Sequence, residues 1–88
     1  MTADVRNRNE LKEFLKAHLV PSRIYNLKGA RNARICMEKA ANGFDVFFSD
    51  HRQKVGLLHF ATESEACRAM IGEIQKVMQV MYGLKFVA

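Results

Sequence analysis

The sequence predicts an α+β domain in which an antiparallel meander of three to four strands carries an N-terminal and a C-terminal helix packed on one face. Three observations lead to this fold class. Apolar residues recur at helical spacing near both ends of the chain, over residues 11–19 and 66–81. Between these regions, short stretches alternate apolar and polar residues and are separated by turn signals. Because the connections are short, we expect sequential strands to be neighbours, in the order α-β-β-β-β-α.

The first predicted helix is amphipathic, with roughly three turns. Its apolar positions fall at i, i+3, i+4, i+7 and i+8, namely Leu11, Phe14, Leu15, His18 and Leu19. Asn7 or Asn9 is the expected N-cap, a contribution of about 1 kcal/mol. Pro21 is expected to end the helix, because the residue before a proline avoids helical dihedral angles. Lys12 and Lys16 are placed on the solvent face, and His18 is interpreted as a partly buried core residue.

Four stretches that follow are predicted as strands. They are residues 22–27, 33–39, 44–49 and 55–61. Asn42-Gly43, between the second and the third stretch, is a strong signal for a hairpin turn. Alternation then places Val46 and Phe48 on one face of the third strand, and Val55 and Leu58 on opposite faces of the fourth.

The last helix is predicted over residues 62–82 and is the best-marked element of the chain. Thr62 and Glu65 form a capping box, in which each side chain is expected to bond to the backbone N–H of the other. An apolar stripe follows at spacings of four, four, three and four, at Ala66, Met70, Ile74, Val77 and Met81. Gly83 is expected to close the helix in a left-handed conformation. The whole chain, 1–88, is assigned to one domain, with a frayed lead-in over 1–7 and a short apolar tail over 84–88.

Positive charge is concentrated in the first third of the chain. The net charge is +5, and residues 1–34 hold eight basic side chains against three acidic ones, whereas the charges of residues 35–88 balance. An anionic partner is therefore expected near the N-terminal part of the fold. No apolar run approaches the roughly 20 residues that span a bilayer, and the polar start of the chain has no signal-peptide core. These observations predict a cytoplasmic protein with no membrane partner.

No metal-ligand spacing, phosphate cradle or nucleophile motif stands out in the sequence. The candidate ligands are His18, His51, His59, Cys36 and Cys67, and none are spaced as a helical or a knuckle pair. The two cysteines are interpreted as buried apolar side chains. One possible acid–base site is left undecided. His59, Glu38 and Asp45 meet on the open sheet face if the strand register allows it. We expect no enzyme activity, no metal and no cofactor.

A small basic nucleic-acid-binding domain is the main alternative. The helix–sheet–helix order is also that of double-stranded-RNA-binding domains, which need lysines at the start of the last helix. Here that position carries Glu63 and Glu65, whose charge opposes a phosphate. RNA-recognition motifs instead use paired exposed aromatic residues on the sheet, and Phe47 is the single candidate for that role. The sequence therefore favours a protein partner over nucleic acid.

Three segments together resemble a group of small bacterial proteins encoded beside polymorphic toxins. The segments are residues 15–29 (LKAHLVPSRIYNLKG), residues 35–39 with 44–50 (ICMEK and FDVFFSD), and residues 60–67 (FATESEAC). They are similar to immunity proteins of contact-dependent growth inhibition and related systems. The resemblance implies a cytoplasmic, non-enzymatic inhibitor that binds the catalytic domain of a cognate toxin and blocks substrate entry. Immunity proteins to nucleases are often acidic, so this basic chain implies a toxin with an acidic surface or binding away from the active-site groove.

Charge and residue type, rather than the resemblance, select the candidate partner-binding residues. Arginine and tyrosine are the side chains that most often anchor interfaces, and a basic loop over residues 28–32 follows Tyr25 closely. The candidates are Arg23, Tyr25, Lys28, Arg31 and Arg34, with Arg52 and Lys54 as outer members. A homodimer is left open as a further assembly, because the last helix has a spare methionine-rich flank that could pair two subunits.

Overall fold

The chain folds as helix, four strands and helix around one sheet. In the computed structural model, which describes residues 5–83, the elements are α1 (Arg8–Ala17), a 3₁₀ turn (Ser22–Ile24), β1 (Tyr25–Asn26), β2 (Arg34–Ala40), β3 (Gly43–Asp50), β4 (Gln53–Phe60) and α2 (Glu63–Tyr82). The predicted α+β class and element order are confirmed. The predicted tail over 84–88 and the first four residues of the lead-in lie outside the described residues. Val5, by contrast, is part of the core, with 5% of its surface exposed.

The sheet is mixed rather than purely antiparallel, which corrects the prediction. The strand order is β1-β2-β3-β4, and β2, β3 and β4 form an antiparallel meander. β1 instead runs parallel to β2, with Tyr25 opposite Ile35 and Asn26 opposite Cys36. The connecting loop turns at Gly29, whose φ is 106°, and the Asn26 side-chain amide donates to the Gly29 carbonyl at 2.7 Å. A strand of two residues is too short to show an alternating pattern, so its direction could not be predicted.

A β-bulge in β4 changes which side chains share a sheet face. Val46 pairs with Leu58 but Phe48 pairs with Val55, so two residues of β4 lie opposite one residue of β3. Val55 and Leu58 therefore face the same side, and the prediction that they face opposite sides is wrong because the extra residue shifts the alternation by one. Gly56 supplies a left-handed backbone at this point, with φ of 63°. Val46 and Phe48 share a face as predicted, yet Val46 is 2% exposed and Phe48 is 41% exposed.

Both helices cover the same face of the sheet, as predicted. Leu11 and Leu15 of α1, Met37 of β2 and Met70 of α2 are fully buried and belong to one apolar cluster. The α2 stripe is buried or packed against this cluster along most of its length. Its last member, Met81, is 59% exposed, so the final turn of α2 lies beyond the core.

The side chains predicted to cap the helices do so, with one difference in detail. The Glu10 N–H donates to Asn7 Oδ1 at 2.9 Å, which selects Asn7 from the two expected N-caps of α1. At the start of α2, the Glu65 N–H donates to Thr62 Oγ1 at 3.2 Å. The Glu65 carboxylate, however, accepts from the Thr62 hydroxyl at 2.9 Å rather than from the Thr62 backbone. The second hydrogen bond of this capping box therefore joins the Thr62 and Glu65 side chains.

α1 ends earlier than predicted, in a Schellman motif. The Val20 N–H donates to the Leu15 carbonyl and the Leu19 N–H to the Lys16 carbonyl, both at 3.0 Å. Leu19 occupies the left-handed position that glycine usually takes, with φ of 57°. Its side chain leaves the helical face and is 86% exposed, so its assignment to the apolar face is wrong. Pro21 follows this motif and does not itself end the helix.

We predict that Leu19→Gly stabilises the domain. Glycine relieves a left-handed strain of about 1–2 kcal/mol and adds an entropic cost of about 0.5–1 kcal/mol, so a net gain of roughly 0.5–1 kcal/mol is expected. Urea unfolding followed by circular dichroism measures the change. Leu19→Ala is the control, because alanine removes the exposed side chain and keeps the strained Cβ. An equal gain for alanine would contradict the role of backbone strain.

We predict that Met70→Ala destabilises the fold by about 2–5 kcal/mol, because it leaves a cavity among fully buried side chains. Met81→Ala is a matched control in the same stripe, and its side chain is 59% exposed. The control is expected to change the free energy of unfolding by less than about 0.5 kcal/mol. The same urea titration checks both variants, and equal losses would be incompatible with the described core.

Candidate functional site

An open groove lies between the solvent face of α1 and the segment that runs through β1 into the following loop. Its volume is about 830 Å³, within the range of ligand-binding clefts. Five cationic side chains line it, Arg8, Lys12, Lys16, Lys28 and Arg34, together with Tyr25, Leu27, several polar side chains and one carboxylate, Glu63. We name this surface the basic groove. It is the place in the described chain where the surplus positive charge is gathered around a concave surface.

One wall of the basic groove is a stripe of like charges on α1. Arg8, Lys12 and Lys16 are spaced by four residues and therefore share a helix face. Like charges at this spacing destabilise a helix by roughly 0.2–0.5 kcal/mol per pair. Lys12 and Lys16 are exposed, and within residues 5–83 no carboxylate forms an ion pair with either of them. Lys12 and Lys16 therefore slightly destabilise the helix by charge repulsion and form no ion pair among the described residues that would offset this cost.

Arg8 differs from the two lysines because its side chain is bound to the fold. Its backbone N–H and its Nε donate to Glu63 Oε2 at 2.7 and 3.3 Å. Its Nη1 donates to the Leu27 carbonyl at 3.4 Å, and its guanidinium lies 5.6 Å from the centre of the Phe44 ring. Arg8 thus joins the starts of both helices to the end of β1. It shapes the groove, whereas Lys12 and Lys16 supply charge for a ligand.

The opposite wall combines anchored and exposed groups. Arg34 is half-buried, and its Nη1 donates to the Ser22 carbonyl at 3.2 Å. Tyr25 is 9% exposed, and burial raises the pKa of its hydroxyl, which stays neutral at physiological pH. Lys28 is exposed at the rim. Tyrosine and arginine, the two residue types held in place here, are enriched in protein interfaces.

Three of the seven predicted site residues lie in the basic groove, and the other four do not line it. Tyr25, Lys28 and Arg34 are groove residues. Arg23 lies in the 3₁₀ turn and Arg52 in the turn between β3 and β4, where its φ is 70°. Arg31 places its backbone against the Cys36 thiol, with the Arg31 N–H 3.3 Å from Sγ. Lys54 bonds to Glu38 Oε1 at 2.6 Å.

The contribution of α1 to this site was not predicted. Lys12 and Lys16 are expected on the solvent face of the helix, but no sequence pattern connects them with the loop after Tyr25. The available signal was the regular spacing of three basic residues, Arg8, Lys12 and Lys16, which lie four apart on one helix face. The position of α1 beside β1 could not be predicted from the sequence.

Glu38, Asp45 and His59, the candidate acid–base residues, do share a sheet face. They occupy paired positions on three neighbouring strands. Glu38 pairs with Asp45, and Asp45 pairs with His59 across the three strands. His59 Nδ1 lies 2.7 Å from Asp45 Oδ1 and its Nε2 lies 3.2 Å from the Asn42 carbonyl. Both partners are hydrogen-bond acceptors, so these contacts favour the ring with a proton on each nitrogen, and the bond to Asp45 raises the pKa of His59. A histidine with both nitrogens donating has no lone pair to act as a base.

The cysteines are buried and free. Burial raises the pKa of Cys36, and burial with the nearby Glu63 carboxylate raises the pKa of Cys67 to about 11. Both thiols are therefore protonated at neutral pH, which is the unreactive form. Over residues 5–83, no three histidine, cysteine or carboxylate side chains come together as a metal-binding group.

We predict that the His59–Asp45 pair gives a pH-dependent contribution to stability. Because the pKa of folded His59 is raised, the contribution is complete below the unfolded-state value of about 6.5 and is lost as the pH rises through the folded value. Asp45→Asn should return the pKa of His59 towards its ordinary value, as measured by NMR titration of the ring protons. Asp50→Asn, on the same strand, is the control. A pKa of His59 that does not respond to Asp45→Asn would contradict the assignment.

No family model, curated protein or solved structure matches this chain. Within residues 5–83, neither helix is long and apolar enough to cross a bilayer. The comparisons therefore give no functional assignment, and the observation in the described residues that bears on function is the charge and shape of the basic groove.

Proposed function

We propose that this protein is a cytoplasmic immunity protein that binds the catalytic domain of a cognate bacterial toxin and neutralises it without enzymatic activity. The basic groove is the proposed binding surface. The observation that carries the proposal is the pair Lys12 and Lys16, which the fold exposes beside Tyr25 and Arg34 without an internal ion-pair partner among the described residues. The resemblance of residues 15–29 to immunity proteins covers much of the same surface.

The charge of the groove specifies the partner's chemistry. Five cations line it against one carboxylate, and that carboxylate, Glu63, already pairs with Arg8 at 3.3 Å. A partner surface rich in aspartate and glutamate is therefore complementary, and steering by opposite charges speeds association. Exposed lysines contribute mainly to rate and specificity. Tyr25 and Arg34, which are held by the fold, are suited to provide the central contacts.

The proposed mechanism is steric. A volume of about 830 Å³ accepts several side chains of a partner but not a second domain. The groove therefore takes up an acidic segment or rim of the toxin domain, while the body of this protein lies against the toxin's surface. Inhibition follows if that rim borders the toxin's active site or its substrate surface, because the bound domain then occludes entry. No bond is made or broken in this mechanism.

Nucleic acid is the second candidate, because the same cations could contact phosphates. Two features of the fold favour a protein instead. Phe47, the single aromatic candidate for stacking on a base, is 2% exposed and is covered by Lys54, whose Nζ lies 4.9 Å from the ring centre. The start of α2, where double-stranded-RNA-binding domains carry lysines, carries Glu63 and Glu65 in cap and ion-pair contacts.

We predict that Lys12→Glu with Lys16→Glu weakens binding to the toxin domain at least about tenfold, or roughly 1.4 kcal/mol, because two attractive charges become repulsive. The domain to test is the variable C-terminal domain of a large secreted protein, if a neighbouring gene encodes one. Isothermal titration calorimetry measures the affinity. Arg68→Glu with Lys76→Glu is the control, since it makes the same change of charge at exposed positions of α2 and should leave affinity nearly unchanged.

The alternatives give different results in the same experiment. An equal loss for both double variants would show that net charge matters rather than the groove. Binding of duplex or single-stranded RNA by the wild type at low salt, abolished by the groove variant, would favour the nucleic-acid function. In cells that produce the toxin domain, the wild type and the control variant should protect growth, and the groove variant should not. Turnover of a substrate by the purified protein would contradict a non-enzymatic role.

A further inference from the structure

β4 is one of the two outer strands of the sheet. In the part of the chain that the structure describes, β3 pairs with one side of β4 and no strand pairs with the other. Residues 53–59 are all exposed. An edge strand of eight residues presents unpaired backbone N–H and C=O groups, which a further strand can satisfy. This edge therefore offers a second binding surface, separate from the basic groove.

Four large apolar side chains are exposed along this edge. Phe48 is 41% exposed, Val55 49%, Leu57 44% and Leu58 45%. Phe48, Val55 and Leu58 share one face of the sheet, whereas Leu57 belongs to the bulge and lies on the opposite face. We name these four side chains, which flank the edge on both faces, the β4 patch. Exposed apolar side chains gathered at a sheet edge are a feature of interaction surfaces.

The charges of β4 are neutralised within the sheet. Lys54 Nζ bonds to Glu38 Oε1 at 2.6 Å, and this bond raises the pKa of Lys54. His59 Nδ1 bonds to Asp45 Oδ1 at 2.7 Å. The other six residues of β4 are uncharged. The edge consequently has no uncompensated charge with which to repel another strand, although such charges are a common protection of natural sheet edges.

The surplus positive charge lies at the other edge of the sheet. The basic groove is formed by α1 and β1, and β1 is three strand positions from β4. If two copies joined through β4, seven strand spacings of roughly 4.8 Å, or about 34 Å, would separate their β1 strands. That distance exceeds the screening length of about 8 Å at physiological salt. Of the two sheet edges, β4 is the one where a second copy meets little repulsion from the net charge of +5.

We propose that the β4 patch is a homodimer interface, in which the β4 strands of two copies lie side by side and antiparallel. Antiparallel pairing is compatible with a two-fold axis, because each strand then presents the same residues to the other. A neutral apolar edge is complementary to itself, whereas an acidic partner is complementary to the groove. The bulge at Gly56 and Leu57 interrupts β4 near its middle, and bulges hinder edge pairing, so the two strands pair through the regular stretches on either side of it, residues 53–55 and 58–60.

The test is the mass of the wild-type protein in solution. Sedimentation velocity over a roughly hundredfold range of concentration should show conversion of the 10.1 kDa chain into a species of about twice that mass. Leu57→Lys with Leu58→Lys should raise the dimer dissociation constant at least about tenfold. Val80→Lys with Met81→Lys is the matched control, because it adds the same charge at exposed apolar positions of α2 and should leave the dimer intact. Circular dichroism establishes that each variant is folded.

Each other outcome overturns the proposal in a defined way. A wild-type protein that stays monomeric throughout the range shows that β4 does not pair with itself. A dimer that is lost in the α2 variant but kept in the β4 variant moves the interface to the end of α2. A monomer whose β4 amides become protected from hydrogen exchange only with an acidic toxin domain makes a partner's strand the occupant. The Lys12→Glu and Lys16→Glu variant should still dimerise, so failure of the proposed function leaves this inference to be judged by itself.

Discussion

The ion pair between Arg8 and Glu63 is the interaction that fixes how the two halves of the chain meet. The Glu63 carboxylate, at the start of α2, accepts both the Arg8 backbone N–H at 2.7 Å and the guanidinium Nε at 3.3 Å. It therefore helps to satisfy the beginning of α1 with a side chain from 55 residues away. The pair is partly exposed, so its direct energetic value is modest. Its importance is geometric, because it joins the starts of the two helices, and from this position Arg8 Nη1 also donates to the Leu27 carbonyl at 3.4 Å, which links α1 to the segment after β1 across the groove.

Those features of the fold that depend on neighbouring residues could be predicted from the sequence. Asn7 and Thr62 cap their helices as expected, since a cap needs only the next three residues. The parallel pairing of β1 and the bulge opposite Phe47 involve contacts between distant segments and leave no periodic signal. Leu19 was misassigned because a left-handed residue other than glycine gives no warning in the sequence.

The site was predicted in part for the same reason. Tyr25, Lys28 and Arg34 lie close in sequence, and they remain together in the fold. The lysines of α1 join them only because the chain reverses after α1 and brings β1 under the helix. Charge that is scattered along the sequence thus becomes one concave surface, while the opposite sheet edge is left neutral. This separation lets the molecule present two chemically different surfaces.

The unequal lengths of the two sheet edges limit the size of any assembly. A sheet with two long uncovered edges can add copies without end and grow into a filament. Here one outer strand, β1, has only two residues, and the cations around it would face those of an approaching neighbour. If two copies pair through their β4 strands, stacking therefore finds no continuation at β1. The short outer strand would limit such an assembly to two copies.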